Sequence, residues 1–356
     1  MSVFVTGATG FIGRRLLDRL VARGEEVYAL ARSQSVDKLQ RPARRLDAAH
    51  RVEPVVGDLS APMLGIEPQW IREHAGHIEH VFHLAAVYDM EASDEANEIA
   101  NVGGTRETVA VANALNAGCL HHVSSVAVAG SYVGTFTEEM FDVGQPLPHP
   151  YHRTKFESER IAREESLTPW RVYRPAIVVG DSRTGEMDKV DGPYYFFPLL
   201  DVASKLPSAL RFLAPRLGAT NLVPVDFVAS AIDFLAYEQG LDGRAFHLVN
   251  PNPQPTIEVL NVFARVAGAP RLSGVLPRAM FDVPIQIGVV REVLLPQLGI
   301  PAAAIDHASF TCTFDSKATR LALAGSGIEV PPLEAYAPVL WKYFKEHMRD
   351  GSTLSA

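Results

Sequence analysis

The chain has 356 residues, 47% hydrophobic and 21% charged, the composition of a soluble globular protein with a large core and one or two domains. Its 33 basic and 41 acidic residues give a net charge of -8 without any basic run, so the electrostatic footprint of a nucleic-acid binder is missing. No apolar run reaches the roughly 18 residues of a spanning helix, which leaves peripheral contact as the membrane role still open. Two distant cysteines, Cys119 and Cys312, and no secretory-type leader before "SVFVTGATG" point to a cytoplasmic protein with reduced thiols.

Residues 2 to 6 form a short apolar run that ends in "GATGFIG". Ile12, Leu16, Leu17, Leu20 and Val21 then recur at helical spacing until Gly24, which predicts strand, glycine turn and helix. Further apolar runs lie at 26 to 32, 52 to 56, 80 to 86, 120 to 128 and 170 to 179, with helical stretches at 95 to 117 and 152 to 165. Strands alternating with helices predict an α/β fold, a Rossmann-type doubly wound parallel sheet. The alternation fades after residue 180, and "NLVPVDFVASAIDFLAYEQG" is the clearest later unit, a strand and a helix that Asp226 can cap. The expected organisation is therefore a dinucleotide-binding domain over 1–180, with returns near 221–250, and an interleaved C-terminal substrate lobe over 181–356.

Gly7, Gly10 and Gly13 stand at G-x-x-G-x-x-G spacing between a strand and an amphipathic helix. There the first glycine permits the tight turn, the second admits a pyrophosphate, and the third lets helix and strand pack closely. Thr9, Phe11 and Ile12 complete this candidate cofactor turn, whose amides and helix dipole suit anionic phosphates. At the end of the second strand an NAD-selective site usually places an acid against the ribose hydroxyl. This chain has Arg32 there, with Lys38 and Arg41 further on, a pattern that fits the 2'-phosphate of NADPH, or else a solvated basic loop.

Tyr151 and Lys155 are four apart in "HPYHRTKFESE", so a helix would stack them on one face. On these residues alone the plainer reading prevails, a helix surface on which Lys155 pairs with Glu159, with chemistry as the lesser alternative. His77, His80 and His83 recur every third residue but run from a loop into a strand, where the rings would not converge on a metal. His121 and His122 would face opposite sides of the fifth strand. His149 and His152 flank Tyr151, as solvated side chains or as substrate contacts.

Taken together, "TGATGFIG", "GDL", "HLAA", "NVGGT", "VSSVAVAG" and "YHRTK" resemble, in order, the motifs of the extended short-chain dehydrogenase/reductase family. The resemblance implies that Tyr151 is the catalytic acid/base and that Lys155 lowers its pKa while holding the nicotinamide ribose. It implies that Ser125, five positions before Gly130, orients the substrate oxygen, with Ser124 structural. Asn101 takes the place of the family's helix-four asparagine, in a proton relay or as a backbone pin. Asp58 and Leu59 would border the adenine, although for Asp58 a turn role stands beside a ligand role. Ala85 and Ala86 would admit pyrophosphate and ribose, and the stretch from Pro175 to Ile177 would give backbone contacts to the carboxamide. Where the family has "VYG" this chain has Val128, Ala129 and Gly130, and the lost tyrosine is expected to open space near the nicotinamide.

A closer resemblance, carried by "HLAAVYDM", "YRPAIVVGDS", "TGEMDKVDGPYYFF", "NLVPVDFV" and "APVLW", is to the N-terminal reductase half of two-domain bacterial fatty acyl-CoA reductases, and more distantly to thioester-reductase domains. It implies NADPH-dependent reduction of a fatty aldehyde to the alcohol, of an acyl thioester to the aldehyde, or both, with a separate acyl-CoA reductase as a partner. The segments 193 to 200 and 279 to 300 are apolar enough for a channel or lid over a long alkyl chain, or for ordinary core packing. The other readings are a superfamily enzyme acting on a nucleotide-sugar or hydroxysteroid, and a dinucleotide-binding sensor without turnover.

Overall fold

The computed structural model describes residues 1–36, 39, 51–86, 98–188, 194, 196–215, 218–276 and 312–348. Seven parallel strands form the main sheet: β1 (Ser2–Thr6), β2 (Glu26–Ala31), β3 (Val52–Val56), β4 (Ile78–His83), β5 (Cys119–Val123), β6 (Trp170–Pro175) and β7 (Arg244–Leu248). Their spatial order is β3-β2-β1-β4-β5-β6-β7, so the winding reverses between β1 and β4. In open sheets of this kind ligands sit beyond the carboxyl ends of the strands at that reversal.

Five helices accompany these strands: α1 (Phe11–Arg23), α2 (Pro68–His74), α3 (Gly104–Ala114), α4 (Pro150–Glu164) and α5 (Val225–Tyr237). The apolar spacing of α1 buries Leu16, Leu17, Leu20 and Val21, and Gly24 ends the helix in the left-handed conformation. Burial on both faces explains why the strands read as continuous apolar runs rather than alternating ones. Phe4, Val81, Leu120, Val109 and Ile161 belong to one cluster in this core. Asp226 lies inside the first turn of α5 rather than at its cap. The expected helix over 95 to 117 proves to be a π-turn (Glu98–Gly103) running into α3. The run at 120 to 128 stops as a strand at Val123, because Ser125 caps a 3₁₀ turn over Val126–Ala129.

The chain divides into two compact units. The first comprises Met1–Ala176, Val225–Val249 and Cys312–Glu329, and the second Ile177–Pro224, Asn250–Thr311 and Val330–Ala356. The boundary thus falls at 176 rather than 180, and residues 312–329 group with the first unit rather than with a C-terminal lobe. Side-chain chemistry explains that return: the buried Glu138 carboxylate accepts from the amides of His247, Ala318 and Thr319, and the strand Cys312–Phe314 pairs in parallel with Gly134–Phe136.

In the second unit Phe197 is fully buried and meets Tyr194, Phe263, Trp341 and Phe344 edge-on. Tyr194 and Phe197 are therefore core residues, and the channel reading of 193 to 200 does not hold for them; residues 279 to 300 lie outside the described residues. No helix among the described residues is long and apolar enough to cross a membrane.

Candidate active site

Register aligns the site. Thr6 on β1 pairs with His83 on β4, and His83 with His122 on β5, so the glycine turn, the Leu84–Ala86 segment and the Val123–Ser125 segment leave one edge of the sheet side by side. Gly7 has φ +76°, and a Cβ there would lie 2.5 Å from the Ala85 amide nitrogen. At Gly13 an added Cβ would lie 2.0 Å from the Gly7 carbonyl oxygen. These two glycines are fixed by backbone contact. Gly10, by contrast, would bring a Cβ only to 3.2 Å from that oxygen, and it opens α1 with no side-chain cap and no acid in the first turn. Its exposed amides fit a diphosphate, and Thr9, Phe11 and Ile12 ride on the same turn, half-buried.

Arg32 follows β2 directly and is exposed; Lys38 and Arg41 lie outside the described residues. Asp58 makes a local turn: its Oδ1 accepts from the Ser60 amide at 2.9 Å and the Ser60 hydroxyl at 2.7 Å. Those hydrogen bonds, with a smaller contribution from Arg32, hold its carboxyl below the usual carboxylate range. Leu59 packs 3.4 Å from where a Cβ on Gly104 would stand. Ala85 is half-buried and Ala86 exposed. Pro175 ends β6 in the first unit, whereas Ile177 opens a strand of the second.

Ser125 is extended at the end of β5, and its Oγ accepts from the Ala127 amide at 3.1 Å. Helix α4 packs against that 3₁₀ turn and carries Tyr151 in its first turn and Lys155 in its second. His149 caps the helix through Nδ1, which accepts from the Tyr151 amide at 3.1 Å. Lys155 is buried, and its Nζ approaches the Val123 carbonyl at 3.5 Å. Burial pulls its pKa down to about 8, against the opposing pull of Glu159. The surface pair of Lys155 with Glu159 does not form. Glu159 is fully buried and taken by Arg174 at 2.6 Å, Arg163 at 2.6 Å and the Ser124 hydroxyl at 2.7 Å. Two guanidiniums and a hydroxyl saturate the carboxylate, which leaves the ammonium available to a ligand.

The Asn101 carbonyl, at the π-turn, accepts from Thr105 Oγ1 at 2.6 Å and Ser158 Oγ at 2.9 Å, a backbone pin between α3 and α4. His83 Nδ1 lies 2.7 Å from the Thr6 hydroxyl and its Nε2 2.9 Å from that of Thr105. His80 faces His121 at 2.8 Å, so the histidines of β4 bond to separate partners, and no metal-holding group of side chains occurs among the described residues. Ala129, where the family has tyrosine, packs with Phe136, Tyr132 and Phe156 in an apolar cluster. A cavity of about 460 Å³ in the second unit, lined by Arg211, Glu258, Arg265, Arg271 and Glu334, contains none of the sequence-predicted site residues.

Glu159 and Arg174 were hidden as a pair. Their signal was Arg174 itself, a cation inside the apolar strand "VYRP" that must find a buried acid.

A reversal-point glycine turn, a serine at the end of β5 and a tyrosine and lysine on adjacent turns of α4 define a dinucleotide-binding oxidoreductase of the extended short-chain dehydrogenase/reductase type. Residues 5–232 match the NAD-binding family described as Male sterility protein, and the chain belongs to that family. It is 28% identical over 281 residues to the aldehyde reductase lnbA of Aspergillus flavus, an overlap covering 72% of this chain and 27% of that one. To the 2-alkyl-3-oxoalkanoate reductase of Stenotrophomonas maltophilia it is 27% identical over 308 residues, 84% of each chain. The terminal R domain from the myxalamid PKS-NRPS biosynthetic pathway superposes with a TM-score of 0.82 at 26% identity, over 98% of this chain and 91% of that one. The chain spans between 5% and 27% of the length of several other curated relatives. These findings make it an NAD(P)-dependent reductase.

Proposed function

We propose that the protein is an NADPH-dependent reductase of long-chain fatty acyl carbonyls, taking a fatty aldehyde to the alcohol, with the acyl thioester as a further substrate. The observation that carries the reading is Lys155, buried one turn after Tyr151 and not ion-paired with Glu159, whose carboxylate is taken by Arg174, with Ser125 at the end of the adjacent strand. NADPH, when bound along the glycine turn, would supply the hydride that the carbonyl carbon takes up. Ser125 donates to the oxygen as negative charge grows on it, and Tyr151 gives that oxygen its proton. The Lys155 ammonium stabilises the phenolate left behind and holds the cofactor ribose. Asn101 pins the backbone beneath the pair through its carbonyl. Arg32 at the end of β2 clamps the 2'-phosphate, which favours NADPH over NADH.

Support for an apolar substrate comes from the second unit, where Leu199, Val202, Leu206, Leu210, Phe212 and Leu213 are exposed within one stretch of chain. The aldehyde-reductase relative supports the reacting group. A separate acyl-CoA reductase would supply the aldehyde, and the same apolar stretch suits peripheral membrane contact in a cytoplasmic protein. A second reading, reduction of a 3-oxo group on an alkylated acid, is favoured by the relative that matches over 84% of both chains.

The test is NADPH oxidation with saturated aldehydes, acyl-CoAs and 3-oxo acids, followed by product analysis. Each buried methylene contributes up to about 0.8 kcal/mol, so kcat/KM should climb by orders of magnitude from short to long aldehydes. Flat efficiency across the series removes the fatty-acyl assignment, and turnover confined to 3-oxo acids selects the second reading.

A further inference from the structure

Lys155 sits in a group of buried charges whose sum is positive. Glu159, one turn on, is the charge that acts on it; Lys155 in turn acts on His122 of β5 and His83 of β4, and Arg163 of the same helix and Arg174 of β6 gather on Glu159. The 3₁₀ turn packed against α4 brings only valine and alanine, and Glu98 of the π-turn is exposed. His122 and His83 are held neutral by burial. His247 is neutral as well: with Nδ1–H donating to the Asp315 carbonyl at 2.6 Å, its Nε2 is left to accept from Arg174 at 3.2 Å. Lysine and two arginines thus face one carboxylate, Glu159. Its Oε1 takes Arg163 and Arg174, each at 2.6 Å, and its Oε2 takes the Ser124 hydroxyl at 2.7 Å and Arg174 Nε at 3.1 Å. Ser124 immediately precedes Ser125, and in an extended strand successive side chains point to opposite faces. Ser124 is tied to α4, while the Ser125 hydroxyl accepts from the Ala127 amide in the turn that follows.

We propose that Glu159 is a positioning residue of the reductase: it locks the catalytic helix to the end of β5 through Ser124 and supplies the negative potential that keeps the Lys155 ammonium charged. The claim rests on the reading of Lys155 as part of the site. Remove the carboxylate charge and two buried cations and the half-buried Arg163 are left without their shared counter-ion; the lysine, which can lose its proton where arginine cannot, relieves the repulsion by doing so.

Glu159→Gln keeps the shape and removes the charge. Its alkaline limb in the pH profile of kcat/KM should move to lower pH by about one unit or more, with NADPH affinity falling along the same limb. Glu159→Asp should restore part of the shift. Arg163→Gln removes a cation instead, so it should move the limb the opposite way, to higher pH. Ser124→Ala removes only the tie and should lower kcat severalfold with the limb in place. A folded Glu159→Gln whose limb coincides with the unaltered protein overturns the proposal, as does an unmoved limb in Arg163→Gln if Glu159→Gln does not fold. If the unaltered protein turns over none of the carbonyl substrates, the reductase reading fails separately, and the pH dependence of NADPH binding in the same variants still decides the role of Glu159.

Discussion

A phenol beside a buried ammonium is a proton donor only while that ammonium stays charged, and Lys155 has little margin. Burial brings its pKa to about 8, so the charge that steadies the Tyr151 phenolate disappears as the medium becomes alkaline. Activity should therefore decline above about pH 8, without loss of fold. Tyr151→Phe removes the donor and keeps the ring: turnover should drop by a factor on the order of a hundred or more while NADPH still binds. Lys155→Ala should harm both turnover and binding, and steady-state kinetics with cofactor titration separate the two outcomes. At the other end of the cofactor, Arg32→Asp replaces a phosphate partner with a repelling charge. The loss of one charge-assisted contact, about 1.5 to 3 kcal/mol, should raise the KM for NADPH tenfold to a hundredfold and leave that for NADH nearly unchanged. Equal efficiency of the unaltered protein with both cofactors would defeat that assignment.

Between β1 and α1 the turn is built by contact with backbone, which no rotamer change can relieve. In Gly13→Ala the new Cβ would meet the Gly7 carbonyl at 2.0 Å. Overpacking of this kind costs about 1 to 3 kcal/mol, more than the roughly 1 kcal/mol that alanine gains over glycine in a helix. Net destabilisation and weakened NADPH binding should appear together in thermal melts and cofactor titrations; a more stable variant would show that the turn can yield. The same element shows why some of the site was legible in the sequence. Glycine spacing, apolar runs and the four-residue step from Tyr151 to Lys155 are local, and local geometry repeats with the period of strand or helix. Glu138 and Glu159 escaped because their decisive partners are distant in sequence: Glu138 finds His247, Ala318 and Thr319, and Glu159, beside its local partner Arg163, finds Arg174 on β6.

Four buried histidines and the half-buried His80 set how the molecule as a whole responds to acid. Desolvation lowers His80 to about 4 and His122 and His247 to about 3, and takes His83 and His121 well below their usual range. Both ring nitrogens of His122 lack a hydrogen-bond partner among the described residues, so the ring gains nothing from its protonated form. A group with a depressed folded pKa binds its proton first in the unfolded chain, so stability falls as pH drops below the unfolded value of about 6.5. Each such histidine contributes up to about 1.4 kcal/mol per pH unit in that window. The urea midpoint should therefore fall steeply between pH 6.5 and 5, above the range where carboxylates titrate; an unchanged midpoint over that interval would contradict the neutral buried rings.

The interleaving of the two units also reaches the gene. A cut after codon 180 would deliver the glycine turn, Ser125, Tyr151 and Lys155 intact. It would also strip β7 from the sheet edge, take the Asp233 carboxylate from Arg19 and Arg23, and leave Glu138 without its three amides. Such a half would bear the glycine turn and the serine, tyrosine and lysine of the candidate site and lack the means to stand alone. Nor can residues 177–224 be traded alone, because Phe197 packs on Phe263, Trp341 and Phe344 from the later segments of the second unit.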